Sequence, residues 1–270
     1  MPVADAGGVR LYYESAGEGT PLILHGHGHY GWMLYQVPYF SQFYRVIVFD
    51  RRGTGRSADP PGPWSAADLA GDLRNLMDAL EIDRAIVGGA SLGGVVSSQF
   101  GLDYPDRALA LIVGHTVPHL WPLGLQWAHE QIATAARGEP VVVRQPRSYD
   151  WEPEGPPTVA EDFATTLTGR YLATLDRGIG SGDALRKMLR VLTDWDLRPR
   201  YQELRELDVP ALVIVGGNEP QKTIELSYEW HQQYKRSEFV ILPNTHHGAT
   251  LENPIGWNTA VHGFLGRHGF

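Results

Sequence analysis

The sequence predicts an α/β fold in which a mostly parallel central sheet is flanked by helices. Three observations support this prediction. Short apolar runs alternate with longer segments of helical period, a pattern typical of a parallel sheet with helices on its faces. The chain has 270 residues, which is enough for one substantial core. Its composition, 43% hydrophobic and 20% charged, is that of an ordinary globular protein rather than a disordered or fibrous one.

Seven segments are predicted to be strands, because each is a short apolar run of the kind found in strands covered on both faces. In chain order they are residues 9–14, 21–25, 45–50, 84–88, 108–114, 211–216 and 238–242. Open α/β sheets gather their functional sites at the carboxyl ends of their strands. The residues that directly follow these segments are therefore the first candidates for a site.

Two helices are predicted around the fourth strand. The first lies before that strand, with Ser65 placed to cap its N-terminus and an apolar face made of Leu69, Leu73, Leu76, Met77 and Leu80. The second runs from Ser91 to about Tyr104. It ends there because Pro105 cannot donate the helical hydrogen bond and disfavours helical geometry in the residue before it.

Residues 118–198 interrupt this alternation, since their one strand candidate is the short run 141–143. We predict that they form a mostly helical cap inserted into a core domain made of residues 1–117 and 199–270. Half of the eight tryptophans lie in this segment and, with Tyr149 and Tyr171, favour an apolar or aromatic substrate: Trp121, Trp127, Trp151 and Trp195. The same rings could equally form the core of the cap itself, and the sequence leaves both interpretations open.

The stretch Gly89-Ala90-Ser91-Leu92-Gly93 follows the fourth strand and carries the clearest chemical signal. A serine hydroxyl is a weak nucleophile, so acyl-transfer enzymes expose it on a sharp turn beside a base and beside N–H donors. Glycines two residues to either side allow the strand and the following helix to approach closely. The motif alone also occurs in plain turns, so it needs an acid and a histidine later in the chain.

Both companions are present after late strands. Glu219 follows the strand at 211–216, and the pair His246-His247 follows the strand at 238–242. Asp194 and Asp196 are rival acids, although their more common roles would be helix capping or surface charge.

Together these features resemble the α/β-hydrolase superfamily, most specifically its esterase, lactonase and carbon–carbon bond hydrolase branch. His25-Gly26 after a strand is similar to the oxyanion loop of that family. Residues 50–57, Asp-Arg-Arg-Gly-Thr-Gly-Arg-Ser, are similar to its Asp-x-Arg-Gly-x-Gly-x-Ser turn, which we interpret as a structural turn rather than a phosphate loop. Residues 247–254 are similar to its histidine loop, which closes with Glu-x-Pro.

The resemblance implies roles for individual residues. Ser91 would be the nucleophile, His247 the base and Glu219 the acid, in place of the more common aspartate. The backbone N–H groups of Leu92 and His27 would form the oxyanion hole.

Besides Glu219, two departures from the family pattern stand out. His246 takes a place where relatives commonly have glycine, which leaves an exchange of roles with His247 open. Some relatives carry the acid after the strand at 108–114, whereas this chain has His115 and Thr116 there. Alternate histidines in the oxyanion loop raise the alternative of a metal site, but the family motif already accounts for the first of them: His25, His27 and His29. We expect no metal and no cofactor.

Charge and composition limit the partners of the chain. A net charge of −8 disfavours binding to nucleic acid or to anionic membranes, because phosphates are held mainly by Lys and Arg. The absence of cysteine excludes thiol chemistry and fits a reducing compartment. No secretory signal is visible, and no apolar stretch reaches the roughly 20 residues that cross a bilayer. We expect a cytoplasmic monomer or homodimer that acts on a small molecule.

The sequence therefore predicts a serine hydrolase that cleaves an ester, a lactone or a related carbonyl compound through an acyl-enzyme. Carbon–carbon bond hydrolysis, acyl transfer and a lyase or cyclase step remain open, because the same triad can serve each of them. A ligand-binding protein with little turnover is the alternative of another class.

Overall fold

The computed structural model describes residues 2–26, 30–139 and 182–270. Within these ranges, eight strands form one sheet in the order β1-β2-β4-β3-β5-β6-β7-β8. The first two pairings, β1 with β2 and β2 with β4, are antiparallel, and the others are parallel. The strands are β1 Val3–Ala6, β2 Val9–Ala16, β3 Pro21–His25, β4 Arg45–Phe49, β5 Ala85–Ala90, β6 Ala108–Gly114, β7 Ala211–Gly216 and β8 Ser237–Leu242.

This architecture confirms the predicted α/β fold with a mostly parallel sheet, and each of the seven predicted strands overlaps an observed one. The strand β1 was not predicted from the sequence. That strand has the sequence Val-Ala-Asp-Ala, which lacks the apolar, β-branched character used to find the others. It forms because it pairs with β2, opposite residues 9–12.

The helices lie between the strands and at the end of the chain. They are α1 Tyr30–Met33, α2 Gln36–Phe40, α3 Ala66–Ala79, α4 Leu92–Asp103, α5 Pro122–Ala136, α6 Gly182–Asp194, α7 Tyr201–Glu206, α8 Gln221–His231, α9 Ala249–Glu252 and α10 Pro254–Arg267. The two helices predicted around the fourth strand are confirmed as α3 and α4. Ser65 caps α3 in a capping box: its Oγ accepts from Asp68 N at 3.1 Å, and the Asp68 carboxylate accepts from Ser65 N at 2.8 Å.

The core consists of two apolar layers, one on each face of the sheet. Successive side chains of a strand point to opposite faces. In β6, Leu111 and Val113 join the layer shared with α3 and α4, whereas Ala110 and Ile112 join the layer shared with α2 and α10. The sheet is therefore covered on both sides, and polar residues that need access to a substrate are confined to its edges.

The carboxyl ends of the parallel strands meet at one edge. Ser91 follows β5, Glu219 lies three residues after β7, and His247 lies five residues after β8. A separate surface depression at the opposite edge is lined by residues that precede β5 and β7, among them Arg84 and Val209. It is remote from the candidate catalytic side chains.

The segment between β6 and β7 leaves and re-enters the core at one place. Leu197 N donates to Pro118 O at 2.9 Å, and Trp195 Nε1 donates to Val117 O at 3.2 Å. Within this segment, α5 and α6 pack against each other. The strand candidate at 141–143 lies outside the described residues, and the division into a core domain and a cap stays a prediction. The helices in the described ranges include none that is long and apolar enough to cross a membrane.

Candidate active site

Ser91 lies on a strained turn between β5 and α4. Its φ of 57° and ψ of −122° are unusual for a residue with a side chain. Its N–H donates to Gly114 O at 2.9 Å, which fixes the turn against the end of β6. Such strain persists only where the surrounding structure holds it, and residues held in this way are often functional.

The glycines of the motif are required by close backbone packing. A Cβ on Gly89 would overlap the backbone of Gly93, and a Cβ on Gly93 would overlap the carbonyl oxygen of His25. The end of β5, the start of α4 and the loop after β3 therefore touch with no room for side chains. This packing explains the Gly-x-Ser-x-Gly spacing in physical terms.

Glu219 lies on the loop after β7, and its side chain has no exposed surface. Its Oε2 is 3.1 Å from Nδ1 of His247, and its Oε1 is 2.8 Å from Nδ1 of His115. Gly216 N donates to Oε1 at 3.1 Å. Burial favours the neutral acid, but the charge of His247 and the hydrogen bonds from the two histidines outweigh it. They hold the pKa of Glu219 well below its usual value.

His247 lies on the loop after β8, with about one third of its side chain exposed. Burial lowers the pKa of its imidazole, but the charge of Glu219, the hydrogen bond to it and the charge of Glu252 together raise the pKa above the ordinary value. Because Nδ1 faces Glu219, Nε2 is the nitrogen with which this ring would take a proton from a nucleophile.

The neighbouring His246 contacts a different carboxylate, that of Glu252. Glu252 Oε2 accepts from His246 N at 2.7 Å and lies 3.1 Å from His246 Nδ1, while Glu252 Oε1 accepts from Gly248 N at 3.1 Å. The glutamate of the Glu-x-Pro ending therefore holds the loop. Of the two adjacent histidines, His247 is the one that contacts Glu219.

The rival acids are engaged elsewhere. Asp196 Oδ2 is 2.6 Å from Nη2 of Arg198, and Asp194 Oδ1 is 3.4 Å from Oγ1 of Thr193. Among the described residues, Glu219 is the carboxylate that is hydrogen-bonded to His247.

Comparisons with known proteins show the family to which the chain belongs. The sequence model of the alpha/beta hydrolase family matches residues 22–258. The chain belongs to this family. It is 27% identical over 241 residues to 3-oxoadipate enol-lactonase 2 of Acinetobacter baylyi, with 86% of this chain and 82% of the relative covered. It is 28% identical over 272 residues to 2-hydroxy-6-oxononadienedioate/2-hydroxy-6-oxononatrienedioate hydrolase of Paraburkholderia phymatum, with 96% of this chain and 92% of the relative covered.

Solved structures give the same result for the fold. A hydrolase from Pseudomonas aeruginosa PA01 superposes with a TM-score of 0.79 at 27% identity, with 98% of both chains covered. The enol-lactonase from Burkholderia xenovorans LB400 superposes with a TM-score of 0.78 at 24% identity, covering 98% of this chain and all of that one. The prediction of an enzyme with the α/β-hydrolase fold is confirmed.

The loop after β3 in this alpha/beta hydrolase is held from two sides. Gly26 has a φ of 116°, and a Cβ there would overlap Ala90 O. Arg51 donates from Nη1 to Gly26 O, and its Nη2 lies 2.6 Å from Sδ of Met188 in α6. Arg51 therefore joins this loop to the segment between β6 and β7.

Of the two predicted oxyanion donors, Leu92 lies among the described residues. Leu92 is the first residue of α4, so its N–H has no acceptor within the helix. Its role in an oxyanion hole stays a prediction. His27 lies outside the described residues, as does His29.

His25 is a core residue of the hydrolase. Its Nε2 is 3.2 Å from Ser97 Oγ, and its ring stacks on Phe49 with centroids 5.8 Å apart. Burial, and then the charge of Arg51, lower its pKa to about 3, so the ring is neutral. Within the described part of the chain, no group of three or more His, Asp or Glu is arranged to hold a metal.

The turn at residues 50–57 is structural, as the sequence indicated. Asp50 Oδ2 accepts from Arg56 N at 3.0 Å, and Ser57 Oγ accepts from Tyr12 N at 2.9 Å. Arg52 pairs with Asp72 of α3 through two hydrogen bonds of 2.6 Å. These contacts tie the end of β4 to β2 and α3.

The tryptophans predicted to bind substrate occupy several environments. Trp121 is buried beside Val117 and Leu226, and Trp195 is buried against Trp230 with ring centroids 6.4 Å apart. Trp127 lies half-buried on α5. Trp151, Tyr149 and Tyr171 lie outside the described residues. A role of these rings in substrate binding stays a prediction.

His115 was not predicted to have a role in the site. The structure places its buried imidazole directly on Glu219. The signal available in the sequence was its position, since a polar residue immediately after a parallel strand lies at the same sheet edge as Ser91 and Glu219.

Proposed function

We propose that this hydrolase cleaves an ester, a lactone or a related carbonyl compound through an acyl-enzyme, with Ser91 as nucleophile, His247 as base and Glu219 as acid. One observation carries the proposal. The buried carboxylate of Glu219 contacts His247 at the sheet edge where the strained turn presents Ser91. Nucleophile, acid and base thus follow the parallel strands β5, β7 and β8, whose carboxyl ends lie at one edge of the sheet.

In the first step, Nε2 of neutral His247 takes the proton of Ser91 Oγ as that oxygen attacks the carbonyl carbon of the substrate. Glu219 stabilises the imidazolium that forms. His247 then gives the proton to the leaving oxygen, which departs as an alcohol and leaves an acyl-serine. A water molecule, deprotonated by His247, attacks the acyl group and releases the acid and free Ser91.

The negative charge on the carbonyl oxygen needs donors that are already in place. The N–H groups of Leu92 and His27 would supply them. Loss of one such donor lowers kcat by about 100-fold to 1000-fold in serine hydrolases.

The substrate proposal rests on the named relatives and on the tryptophans. The Acinetobacter relative is named as an enol-lactonase, which favours a lactone or ester. An apolar or aromatic substrate is favoured by Trp121, Trp127, Trp151 and Trp195, because aromatic rings commonly line pockets for such ligands.

A second candidate function is hydrolysis of a carbon–carbon bond. The Paraburkholderia relative matches 96% of this chain and is named as a 2-hydroxy-6-oxononadienedioate/2-hydroxy-6-oxononatrienedioate hydrolase. In such a substrate a carbonyl carbon is again the centre of attack, so the same three side chains can serve either reaction.

The test compares the wild type with Ser91→Ala. We expect a fluorophosphonate to label the wild type at Ser91, and we expect the substitution to abolish labelling and to lower kcat by on the order of 10⁶. Ser41→Ala, at the end of α2, is the matched control and should label like the wild type. Turnover that persists in Ser91→Ala would rule out the proposed nucleophile.

A substrate panel separates the candidate reactions. Aryl esters, lactones and vinylogous diketones are assayed side by side with the wild type and Ser91→Ala. Preference for the diketones would replace ester cleavage with carbon–carbon bond hydrolysis. A product ester that forms when an alcohol is added would reveal acyl transfer.

A further inference from the structure

The carboxylate oxygen of Glu219 that does not face His247 contacts a second histidine, His115. Nδ1 of His115 lies 2.8 Å from Oε1, and the side chains of both residues have no exposed surface. Since an ionised carboxylate only accepts hydrogen bonds, Nδ1 of His115 carries the proton in this contact. Each carboxylate oxygen of the proposed acid thus contacts one of the two histidines.

The backbone holds His115 firmly beside the acid loop. His115 is the first residue after β6 and has a φ of 52°, which is uncommon for a residue with a side chain. Its N–H donates to Ile214 O of β7 at 2.8 Å. The next carbonyl, Thr116 O, accepts from Ser227 Oγ of α8 at 2.8 Å. His115 is therefore fixed to the strand before Glu219 and to the helix after it.

The hydrogen bond to Glu219 is the interaction that accounts for a histidine at this position. Nε2 of His115 is buried and finds no hydrogen-bond partner among the residues that the structure describes. Burial of an imidazole nitrogen without a partner is unfavourable, and an apolar side chain of similar size would avoid it. The Nδ1–H group, which donates to Glu219, is the polar contact that offsets this cost.

We propose that His115 is a positioning residue for the acid of the triad. Together with Gly216 N–H it anchors Oε1, so that Oε2 stays directed at His247. A glutamate has one more torsion than the aspartate that is more common in this role, and the second anchor restrains that torsion. The inference rests on the proposed triad.

Loss of this anchor has a defined electrostatic consequence. Glu219 faces His115 and His247, and His247 also feels the charge of Glu252, which itself holds His246. If the carboxylate turns away, His247 loses the main partner that raises its pKa. The base must be neutral to act, so the acid limb of the kcat/KM profile moves to lower pH. A side chain that merely filled space would leave that limb in place.

The test uses three variants in one pH series. His115→Leu removes the donor, His115→Asn keeps an N–H donor near the position of Nδ1, and Glu219→Gln gives the reference shift for loss of the charge. We expect His115→Leu to lower kcat/KM by up to about 100-fold, because the acid is no longer held in position. Its acid limb should move in the same direction as that of Glu219→Gln, and His115→Asn should restore both properties.

Several outcomes would overturn the inference. The first is an acid limb in His115→Leu that stays at the wild-type position or moves to higher pH. The second is an acid limb in His115→Asn that does not return to the wild-type position. If His115→Leu does not fold, spectra of the ¹⁵N-histidine-labelled wild type and Glu219→Gln decide the question. A His115 Nδ1–H resonance that does not respond to the loss of the carboxylate contradicts the contact.

Fluorophosphonate labelling separates this inference from the proposed function. A wild type that labels at Ser91, combined with an unmoved acid limb in His115→Leu, rejects the role of His115 alone. A wild type that does not label rejects the triad itself. Labelling that survives His247→Ala but is lost in His115→Asn would make His115 the base and would overturn both proposals.

Discussion

The turn after β5 and the loop after β8 bring their side chains to the same sheet edge by different physical means. The turn that carries Ser91 is held by backbone contact, because Gly89 and Gly93 leave no space between the strand, the helix and the loop after β3. The loop that carries His247 is held by polar side chains, chiefly Glu252.

The difference fits the work proposed for each residue. A nucleophile needs one fixed position, and close backbone packing provides it. A base changes its charge in every catalytic cycle, and its pKa must suit that change, so carboxylates are more useful supports than tight packing. Substitutions in the turn should therefore act through steric overlap, whereas substitutions in the loop should act through pH dependence.

Outside the proposed triad, the largest effect is expected from Gly93→Ala. The new Cβ overlaps the carbonyl oxygen of His25, and backbone on both sides of the contact cannot move easily. We expect a loss of about 1–3 kcal/mol in the free energy of unfolding. Displacement of Ser91 should lower kcat/KM by about 100-fold. Thermal unfolding and steady-state kinetics measure the two effects.

Gly266→Ala in α10 is the matched control for this variant. A Cβ there meets no atom within 4 Å, so alanine should stabilise the helix by up to about 1 kcal/mol without affecting turnover. Wild-type kinetics in Gly93→Ala would show that the turn tolerates a side chain and would remove the contrast between the two regions.

An intermediate effect is expected from Glu252→Gln. The carboxylate is almost fully buried, and the backbone N–H groups of His246 and Gly248 donate to it, so its neutralisation should cost about 1–2 kcal/mol of stability. Its charge also raises the pKa of His247. Without that charge the pKa falls, the base is neutral at lower pH, and the acid limb of kcat/KM moves to lower pH.

Glu225→Gln serves as the control for charge alone. Glu225 pairs with Lys222 at 3.2 Å on the exposed side of α8, and its neutralisation should leave the acid limb unchanged. An equal shift in both variants would mean that net charge, rather than the position of Glu252, sets the pKa of His247.

The smallest effect is expected from His246→Asn. About 37% of the His246 side chain is exposed, and a partly exposed pair with Glu252 contributes little. The free energy of unfolding should stay within about 0.5 kcal/mol of the wild type, and kcat/KM should change by no more than about twofold. His247→Asn, the matched variant next to it, should abolish turnover. The reverse result would exchange the roles of the two histidines.

The sequence was sufficient for β3 to β7 because these parallel strands are buried on both faces and so appear as continuous apolar runs. The strand β1 escaped notice because Val-Ala-Asp-Ala has no such run, and only its pairing with β2 makes it a strand. The helices α3 and α4 were predictable from local signals, the cap at Ser65 and the stop before Pro105.

The part of the candidate site that follows from the order of motifs and strands along the chain was predictable. Ser91, Glu219 and His247 were selected because they follow strands whose carboxyl ends share one edge. The sequence could not reveal that His115 contacts the same carboxylate, since that contact depends on which way two buried side chains turn. The separate pairing of His246 with Glu252 is likewise a property of the folded loop.

The hydrogen bond between Leu197 N and Pro118 O brings together the two ends of the segment that connects β6 with β7. Its two ends are already hydrogen-bonded to each other, so the distance between β6 and β7 does not depend on what lies between them. Lengthening a loop whose ends are fixed adds little entropic cost. The segment can therefore change in length at little cost to the pairing of β6 with β7.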